Sequence, residues 1–264
     1  MSLIPEAFAN LKRKHRKGFI PFITVGDRDL ETTRKLIVEL ARVGSTLIEL
    51  GVPFTDPMAD GPVIQRASER ALRHAFGFEA IFRIVSAARQ EADVPIILFS
   101  YFNPLLQFGI ERLARDAKSA GIDGVLVTDL VPEEAGDFGA ALKANDLDMI
   151  FLVAPTSTDE RLSLVAQRAS GFIYAVSRAG ITGAREQMSS EAEKLVLRMR
   201  KFSDLPIAVG FGISKPEHVA DVWRYADAAV VGSAIVNFIE NATDSITLAH
   251  DVAQFAANLA NTNS

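Results

Sequence analysis

Residues 48–62 read IELGVPFTDPMADGP. The first part is a β-branched and aliphatic run typical of a buried strand, and the rest is a loop rich in proline, glycine and aspartate. Glu49 lies inside the apolar run, where an ionised carboxylate costs free energy unless it is paired or used in chemistry. Asp60 lies at the far end of the loop. Two carboxylates in unlike surroundings can hold different protonation states at one pH, which proton-transfer chemistry requires.

Similar apolar runs recur along the chain, and each is followed by a segment with helical periodicity. Most are nearly continuous in Val, Ile, Leu and Phe, as expected for strands that are covered on both faces. Gly44, Gly121 and Gly171 precede strands, at positions typical of glycines that end helices. The predicted strands are 19–25, 46–50, 95–101, 124–128, 149–153, 172–176, 206–209 and 228–231.

Eight strands that alternate with helices within 264 residues predict an α/β fold, a single (β/α)8 TIM barrel domain spanning residues 1–264. A short N-terminal helix precedes the first strand. The long gap after the second strand holds two helical patterns, 62–74 and 78–92, and therefore predicts an extra helix there. A doubly wound sheet is the alternative fold, but it seldom needs so many units at this spacing.

Composition narrows the class of protein. The chain is 48% hydrophobic and 23% charged, as in ordinary globular proteins, and its net charge of -5 argues against nucleic-acid binding. Cysteine is absent, and the four histidines lack metal-ligand spacing, so we expect no metal site. The basic run 12–17 is expected to form the solvated end of the N-terminal helix. Without a signal-like or membrane-spanning pattern, we expect a cytoplasmic enzyme.

Glu49 is the first candidate catalytic residue. Because side chains alternate along a strand, Glu49 shares a face with Leu47 and Gly51, while Ile48 and Leu50 face the other way. If the Glu49 face lines the barrel interior, burial raises the pKa of Glu49 toward neutrality, and its carboxyl group can donate and accept a proton. A buried glutamate held by a salt bridge to a neighbouring strand is the alternative.

Asp60 is the second candidate, and it precedes Gly61 and Pro62, which are predicted to open a helix. As a functional group, it is a carboxylate that solvent and loop amides keep ionised, ready to accept an N–H from a substrate. As a structural group, it is an N-cap or turn aspartate. Asp56 has the same ambiguity, and we expect it to shape the loop or lie at the surface.

Glycines follow the last two predicted strands, as Gly210-Phe211-Gly212 and Gly232-Ser233. Backbone N–H groups at such positions can approach an anion, and a helix that begins at Ser233 adds the positive end of its dipole. Many barrel enzymes hold a substrate phosphate in these two loops. We therefore predict a phosphate site, with simple tight turns as the alternative.

The segment 177–187, SRAGITGAREQ, follows the sixth predicted strand. It holds two glycines, two arginines and little that could pack. Long loops in compact domains tend to be functional. We therefore predict a lid that closes over a ligand and lacks order without one, with a simple long connection as the alternative.

Segments 48–62, 177–183, 210–214 and 232–233 together resemble the tryptophan synthase alpha chain family, and the likeness includes residues 18–24. The motif in residues 48–62 is far more specific to this family than a lone glycine motif would be. The resemblance implies a (β/α)8 barrel that cleaves indole-3-glycerol phosphate to indole and glyceraldehyde 3-phosphate in a retro-aldol step. It also implies an α2β2 complex with a β chain that carries pyridoxal phosphate, while the α chain has no cofactor.

The resemblance assigns roles to individual residues. Glu49 matches the general acid/base, and Asp60 matches the carboxylate that accepts the indole N–H. Thr182 matches the residue that bonds this aspartate when the lid closes. The implied substrate-binding residues are Phe22, Tyr174, Thr182, Gly183, Phe211, Gly212, Gly232 and Ser233. The implied partner interface consists of Pro53, Asp56, Pro57 and Asn103.

Two other functions stay open at this point. A non-catalytic subunit could bind a glycerol phosphate only to activate its β chain, although the presence of both acids disfavours this. A sugar-phosphate isomerase on a similar barrel would share the phosphate loops. Thr55, Met58 and Ala179 replace the Ser, Leu and Ser that the family more often shows, and none of these changes affects a group assigned to chemistry.

Overall fold

A computed structural model describes residues 1–176, 185–210, 212–244 and 246–260. Eight parallel strands form a closed barrel in sequence order, with β8 paired to β1. This arrangement confirms the predicted (β/α)8 class. The strands are β1 Gly18–Thr24, β2 Ile48–Gly51, β3 Ile96–Ser100, β4 Gly124–Val127, β5 Asp148–Val153, β6 Ile173–Val176, β7 Ile207–Gly210 and β8 Ala228–Val231.

Helices cover the outside of the barrel. In the described part of the chain they are α1 Ile4–Arg13, α2 Leu30–Arg42, α3 Pro62–Leu72, α4 Phe78–Ala88, α5 Phe102–Phe108, α6 Ile110–Ala120, α7 Gly136–Ala144, α8 Asp159–Arg168, α9 Arg185–Met199, α10 Pro216–Trp223, α11 Ser233–Asn241 and α12 Leu248–Ala260. A short 3-10 turn spans Pro132–Glu134. None of these helices combines the length and apolar character that a bilayer crossing requires.

The extra helix after the second strand is confirmed, because α3 and α4 both lie between β2 and β3. Lys12 and Arg13 occupy the last turn of α1, as predicted. The third strand ends earlier than predicted: Tyr101 is the N-cap of the unpredicted helix α5. The backbone N–H of Phe102 donates to the Asp129 carboxylate at 2.7 Å, which anchors the start of this helix.

The strands alternate between two layers. One set of side chains fills the barrel interior: Ile20, Leu47, Ile97, Leu126, Ile150, Tyr174, Ala208 and Val230. Ile48 and Leu50 belong instead to the layer between strands and helices. In the parallel register, Glu49 aligns with Phe22 on β1 and Ile97 on β3. The predicted alternation is therefore confirmed, and Glu49 lies on the interior face.

Helix α1 covers the end of the barrel where the strands begin. Its Ile4 and Phe8 join the interior cluster, and the Phe8 ring centroid lies 5.7 Å from that of Phe172. The Leu3 N–H donates to the Asp123 carboxylate at 2.8 Å. Because this end is packed with apolar side chains, the functional cavity forms at the opposite end, where parallel strands terminate.

A cluster of charged side chains ties α3 to α11 and to the loop after β1. Arg70 binds the buried Asp27 through two hydrogen bonds of 2.8 and 3.0 Å, and it also reaches Glu240 at 2.8 Å. Arg66 makes a second two-bond pair with Glu240, at 2.8 and 2.7 Å. These contacts fix the spacing of two helices whose first residues border the same cavity.

Asp27→Asn tests this cluster. Because Asp27 is 1% exposed and bonded to a guanidinium, we expect the free energy of unfolding to fall by about 2 kcal/mol. The matched control is Glu31→Gln, which breaks an exposed pair with Arg34 and should cost about 0–1 kcal/mol. Urea denaturation measures both, and equal losses would contradict a structural role for the cluster.

Candidate active site

A cavity of about 270 Å³ opens at the carboxyl ends of the strands. It brings together strand side chains, the loop after β2, and the first residues of α3 and α11. Its lining consists of Phe22, Glu49, Asp60, Gly61, Pro62, Val63, Ile64, Phe99, Tyr174, Gly212, Ile213, Val230, Gly232 and Ser233. Two larger surface cavities, of about 600 and 780 Å³, border α1 at the opposite end of the barrel, where the strands begin.

Glu49 supplies a buried acid to this cavity. It is 1% exposed, and neither side-chain oxygen has a hydrogen-bond partner among the described residues. Burial alone raises the pKa of Glu49 well above its ordinary value. The described part of the chain offers no salt bridge to Glu49, so the ion-paired alternative is not what the structure has there. Burial therefore favours the protonated, uncharged form of the Glu49 carboxyl group.

Aromatic rings form the walls beside Glu49. The rings of Phe22 and Phe99 meet edge to face with centroids 5.3 Å apart. The ring centroid of Tyr174 lies 6.5 Å from that of Phe99. A Cβ at Gly210 would lie 1.9 Å from the Tyr174 hydroxyl, so only glycine admits this tyrosine position. Burial first, and the Glu49 charge second, raise the pKa of Tyr174. These rings make the wall beside Glu49 apolar, which suits a flat aromatic ligand.

Asp60 supplies the second acid, and its side chain is less exposed to solvent than predicted. It is half-buried, and burial raises its pKa to about 6, while a hydrogen bond from Tyr101 acts in the opposite direction. The Tyr101 hydroxyl also accepts the Ala59 N–H at 2.9 Å. Gly61, not Asp60, is the N-cap of α3, so the N-cap alternative is wrong. Asp60 changes protonation state near pH 6.

Tyr101 is a site residue that the sequence analysis missed. The chain there reads as one continuous strand through Tyr101, and strand patterning alone gives it no special role. Its hydroxyl becomes relevant because the strand ends before Tyr101, which is the N-cap of α5 and whose hydroxyl bonds Ala59 and Asp60. Burial and the nearby Asp60 charge raise the pKa of Tyr101 to about 12. Tyr101 therefore stays a hydrogen-bond donor at neutral pH.

The predicted phosphate residues that the structure describes all line the cavity. Gly212 has a φ angle of 75°, a backbone conformation that residues other than glycine rarely adopt. Gly232 is the N-cap of α11, and Ser233 is its first helical residue. The unpaired backbone N–H groups of this helix start give the cavity an anion-attracting end. Glu49 and Asp60 border the same cavity.

Several predicted residues lie outside the described part of the chain. They are Thr182, Gly183 and Phe211. The predicted lid, 177–187, falls there through residue 184, and α9 begins at Arg185. Among the predicted interface residues, Asp56 and Asn103 are exposed, while Pro53 and Pro57 are partly exposed.

The fold and this cavity define a class of protein: a (β/α)8 barrel enzyme with two carboxyl groups in a cavity at the carboxyl ends of its strands. The two acids differ in burial and share one cavity that an aromatic ring can enter. No cluster of three metal-ligating side chains is found in the part of the chain that the structure describes.

Comparison with known proteins then gives the family. Residues 8–263 match the family model described as tryptophan synthase alpha chain. The chain is 48% identical over 259 residues to the tryptophan synthase alpha chain of Solibacter usitatus, covering 98% of this chain and 97% of that protein. It is 51% identical over 240 residues to that of Geotalea uraniireducens, covering 91% and 90%.

Solved structures agree. The crystal structure of tryptophan synthase subunit alpha from Legionella pneumophila superposes with a TM-score of 0.91 at 35% identity, covering 98% of this chain and 97% of that one. Tryptophan synthase from Mycobacterium tuberculosis gives a TM-score of 0.89 at 35% identity, with the same coverage. The chain belongs to the tryptophan synthase alpha chain family, the lyases that cleave indole-3-glycerol phosphate in tryptophan biosynthesis.

Glu49→Gln tests the burial of the acid through stability. The folded pKa lies above the unfolded one, so the fold is favoured below the unfolded pKa of about 4.3 and loses that stability as pH rises. At pH 8, the substitution should raise the free energy of unfolding by more than about 1 kcal/mol. At pH 4 the gain should vanish. Urea denaturation at both pH values measures this.

Glu69→Gln on α3 is the matched control, because Glu69 is exposed. Its effect on the free energy of unfolding should stay small at both pH values. A gain at position 49 that is the same at pH 4 and pH 8 would rule out a protonated Glu49 in the folded chain.

Proposed function

We propose that Glu49 and Asp60 act as a pair on the indole ring of indole-3-glycerol phosphate. The observation that carries this proposal is that two acids with different protonation tendencies border one apolar cavity. The ring lies against Phe22 and Phe99, with the glycerol phosphate extending toward the start of α11.

The chemistry follows from the two environments. Glu49, protonated because it is buried, donates its proton to the ring carbon that bears the side chain. Asp60, ionised above about pH 6, accepts the indole N–H and stabilises the positive charge that the ring acquires. The Glu49 carboxylate then removes the hydroxyl proton on the adjacent side-chain carbon. The carbon–carbon bond breaks, its electrons restore the indole ring, and Glu49 is protonated again.

The phosphate is held by backbone N–H groups at Gly212, Gly232 and Ser233, aided by the dipole of α11. Gly183 and Phe211 complete this end of the site in our proposal. Thr182 bonds Asp60 when the segment 177–187 closes over the ligand. These last assignments rest on the family resemblance alone.

The partner in this proposal is a tryptophan synthase β chain that carries pyridoxal phosphate, in an α2β2 complex in the cytoplasm. The α chain itself works with side chains only and without a cofactor. Exposed apolar side chains on the rim above β2, β3 and β4 support a docking face: Met58 at 93%, Leu106 at 49% and Val131 at 38% exposure. Pro53, Asp56, Pro57 and Asn103 belong to the same rim.

Glu49→Gln tests the catalytic assignment. Because glutamine can neither donate nor accept the proton, indole release should fall by at least about 10²-fold while the fold stays intact. A colorimetric indole assay with and without a β chain measures the rate, and circular dichroism monitors the fold. Glu69→Gln should behave as wild type.

The same assay separates the lyase from a non-catalytic subunit. The isolated chain should release indole from indole-3-glycerol phosphate above the uncatalysed rate, and a β chain should increase that rate. A purified, folded chain that releases none in either condition would support the activating-subunit alternative. Near-normal release by the Glu49→Gln variant would reject the role of Glu49.

The pH dependence tests Asp60. Because its ionised form accepts the indole N–H, kcat/KM should fall about tenfold per unit below the Asp60 pKa of about 6. The phosphate of the substrate also titrates near pH 6. Tyr101→Phe distinguishes the two, because it removes the hydrogen bond that lowers the Asp60 pKa. The midpoint should move to higher pH in this variant, and an unchanged midpoint would assign the titration to the substrate.

A further inference from the structure

A second and much smaller cavity adjoins Asp60. Its volume is about 10 Å³, and its polar lining comes from Thr24, Asp60, Ser68, Ser100 and Tyr101. It shares Phe22, Asp60, Ile64 and Phe99 with the substrate cavity, but Glu49 and the phosphate-binding glycines are not part of it. Asp60 thus borders two cavities, one that fits a substrate and one that does not.

Thr24 gives the small cavity an unsatisfied polar group. The residue is 3% exposed, and its hydroxyl oxygen is buried without a hydrogen-bond partner among the described residues. Buried hydroxyl groups in folded proteins almost always have a partner, since leaving one unsatisfied is costly. Ser100 differs, because its hydroxyl donates to the Tyr101 carbonyl at 2.9 Å.

We propose that this cavity binds one water molecule, which accepts the Thr24 hydroxyl proton in a hydrogen bond and donates to the Asp60 carboxylate. The volume matches the roughly 10–15 Å³ that a single water requires, and larger ligands do not fit. A bound water also needs two to four polar partners, and the polar residues that line the cavity include Thr24, Asp60 and Tyr101.

The water gives Asp60 a hydrogen-bond donor that substrate cannot displace. An indole ring that enters the larger cavity removes bulk water from Asp60 on that side, which by itself favours the neutral acid. A donor held in the separate small cavity favours the ionised form throughout turnover. Thr24 is then a positioning residue that acts on Asp60 through the water. This consequence for activity rests on the proposed role of Asp60, whereas the water site itself does not.

The first test is a crystal structure of the free wild-type chain at a resolution that shows ordered waters. Density for one water within hydrogen-bond distance of both the Thr24 hydroxyl and the Asp60 carboxylate is expected. An empty cavity, or side chains that close it, would overturn the proposal. This test does not depend on a variant that folds or on any activity.

The second test compares Thr24→Val with the matched Thr24→Ser in the kcat/KM pH profile. Valine keeps the shape but removes the hydroxyl, so the acid-side midpoint should rise by about half a pH unit. Serine keeps the hydroxyl and should restore the wild-type midpoint. Valine and serine profiles that coincide would overturn the link from Thr24 to Asp60.

The variant Asp60→Asn distinguishes a failure of the proposed catalytic role of Asp60 from a failure of the proposed water site. If this variant retains indole release while the wild-type crystal shows the water, the catalytic role of Asp60 fails and the water site stands. If the variant loses activity and the cavity is empty, the catalytic role stands and the water site fails.

Discussion

The burial of one carboxyl group among apolar side chains is the constraint on which this site depends. Glu49 lies on the inner face of β2, is 1% exposed and has no hydrogen-bond partner among the described residues. A folded chain maintains such a group only because the surrounding barrel is stable enough to offset the cost of burying it. The same cost raises the pKa of Glu49 well above its ordinary value, as the proposed proton transfer by this residue requires.

The barrel creates this constraint through its geometry. Parallel strands end at one rim, and α1 packs the other end with Ile4 and Phe8, so the apolar interior opens only where the loops are. Glycines at β2 and β7 then let large rings lie close to the backbone: Gly51 contacts Phe22, and Gly210 contacts Tyr174. The charged cluster around Arg70 holds α3 and α11, whose first turns bring Asp60 and the anion-attracting helix start to the same rim.

Where prediction from sequence was wrong, tertiary contacts were responsible. Asp60 lies in a loop rich in proline and glycine, which favours a solvated carboxylate, yet the neighbouring chain buries it and raises its pKa to about 6. Tyr101 continues an apolar strand pattern, yet the chain turns there into α5, and its hydroxyl bonds both Ala59 and Asp60. Neither contact is encoded by spacing along the chain.

The sequence by itself determined the alternation of strands and helices, the face that Glu49 shares with Leu47 and Gly51, the extra helix after β2 and the resemblance to the family. These properties follow from side-chain periodicity and from a loop motif that is specific over fifteen residues, 48–62. The closed barrel decided that this face lines the interior. Only the tertiary structure decided that Glu49 has no described ion partner, that Tyr101 bonds Asp60, and that Thr24 faces a water-sized cavity. The reason is physical: burial and hydrogen bonding depend on segments far apart in the chain, which periodicity cannot relate.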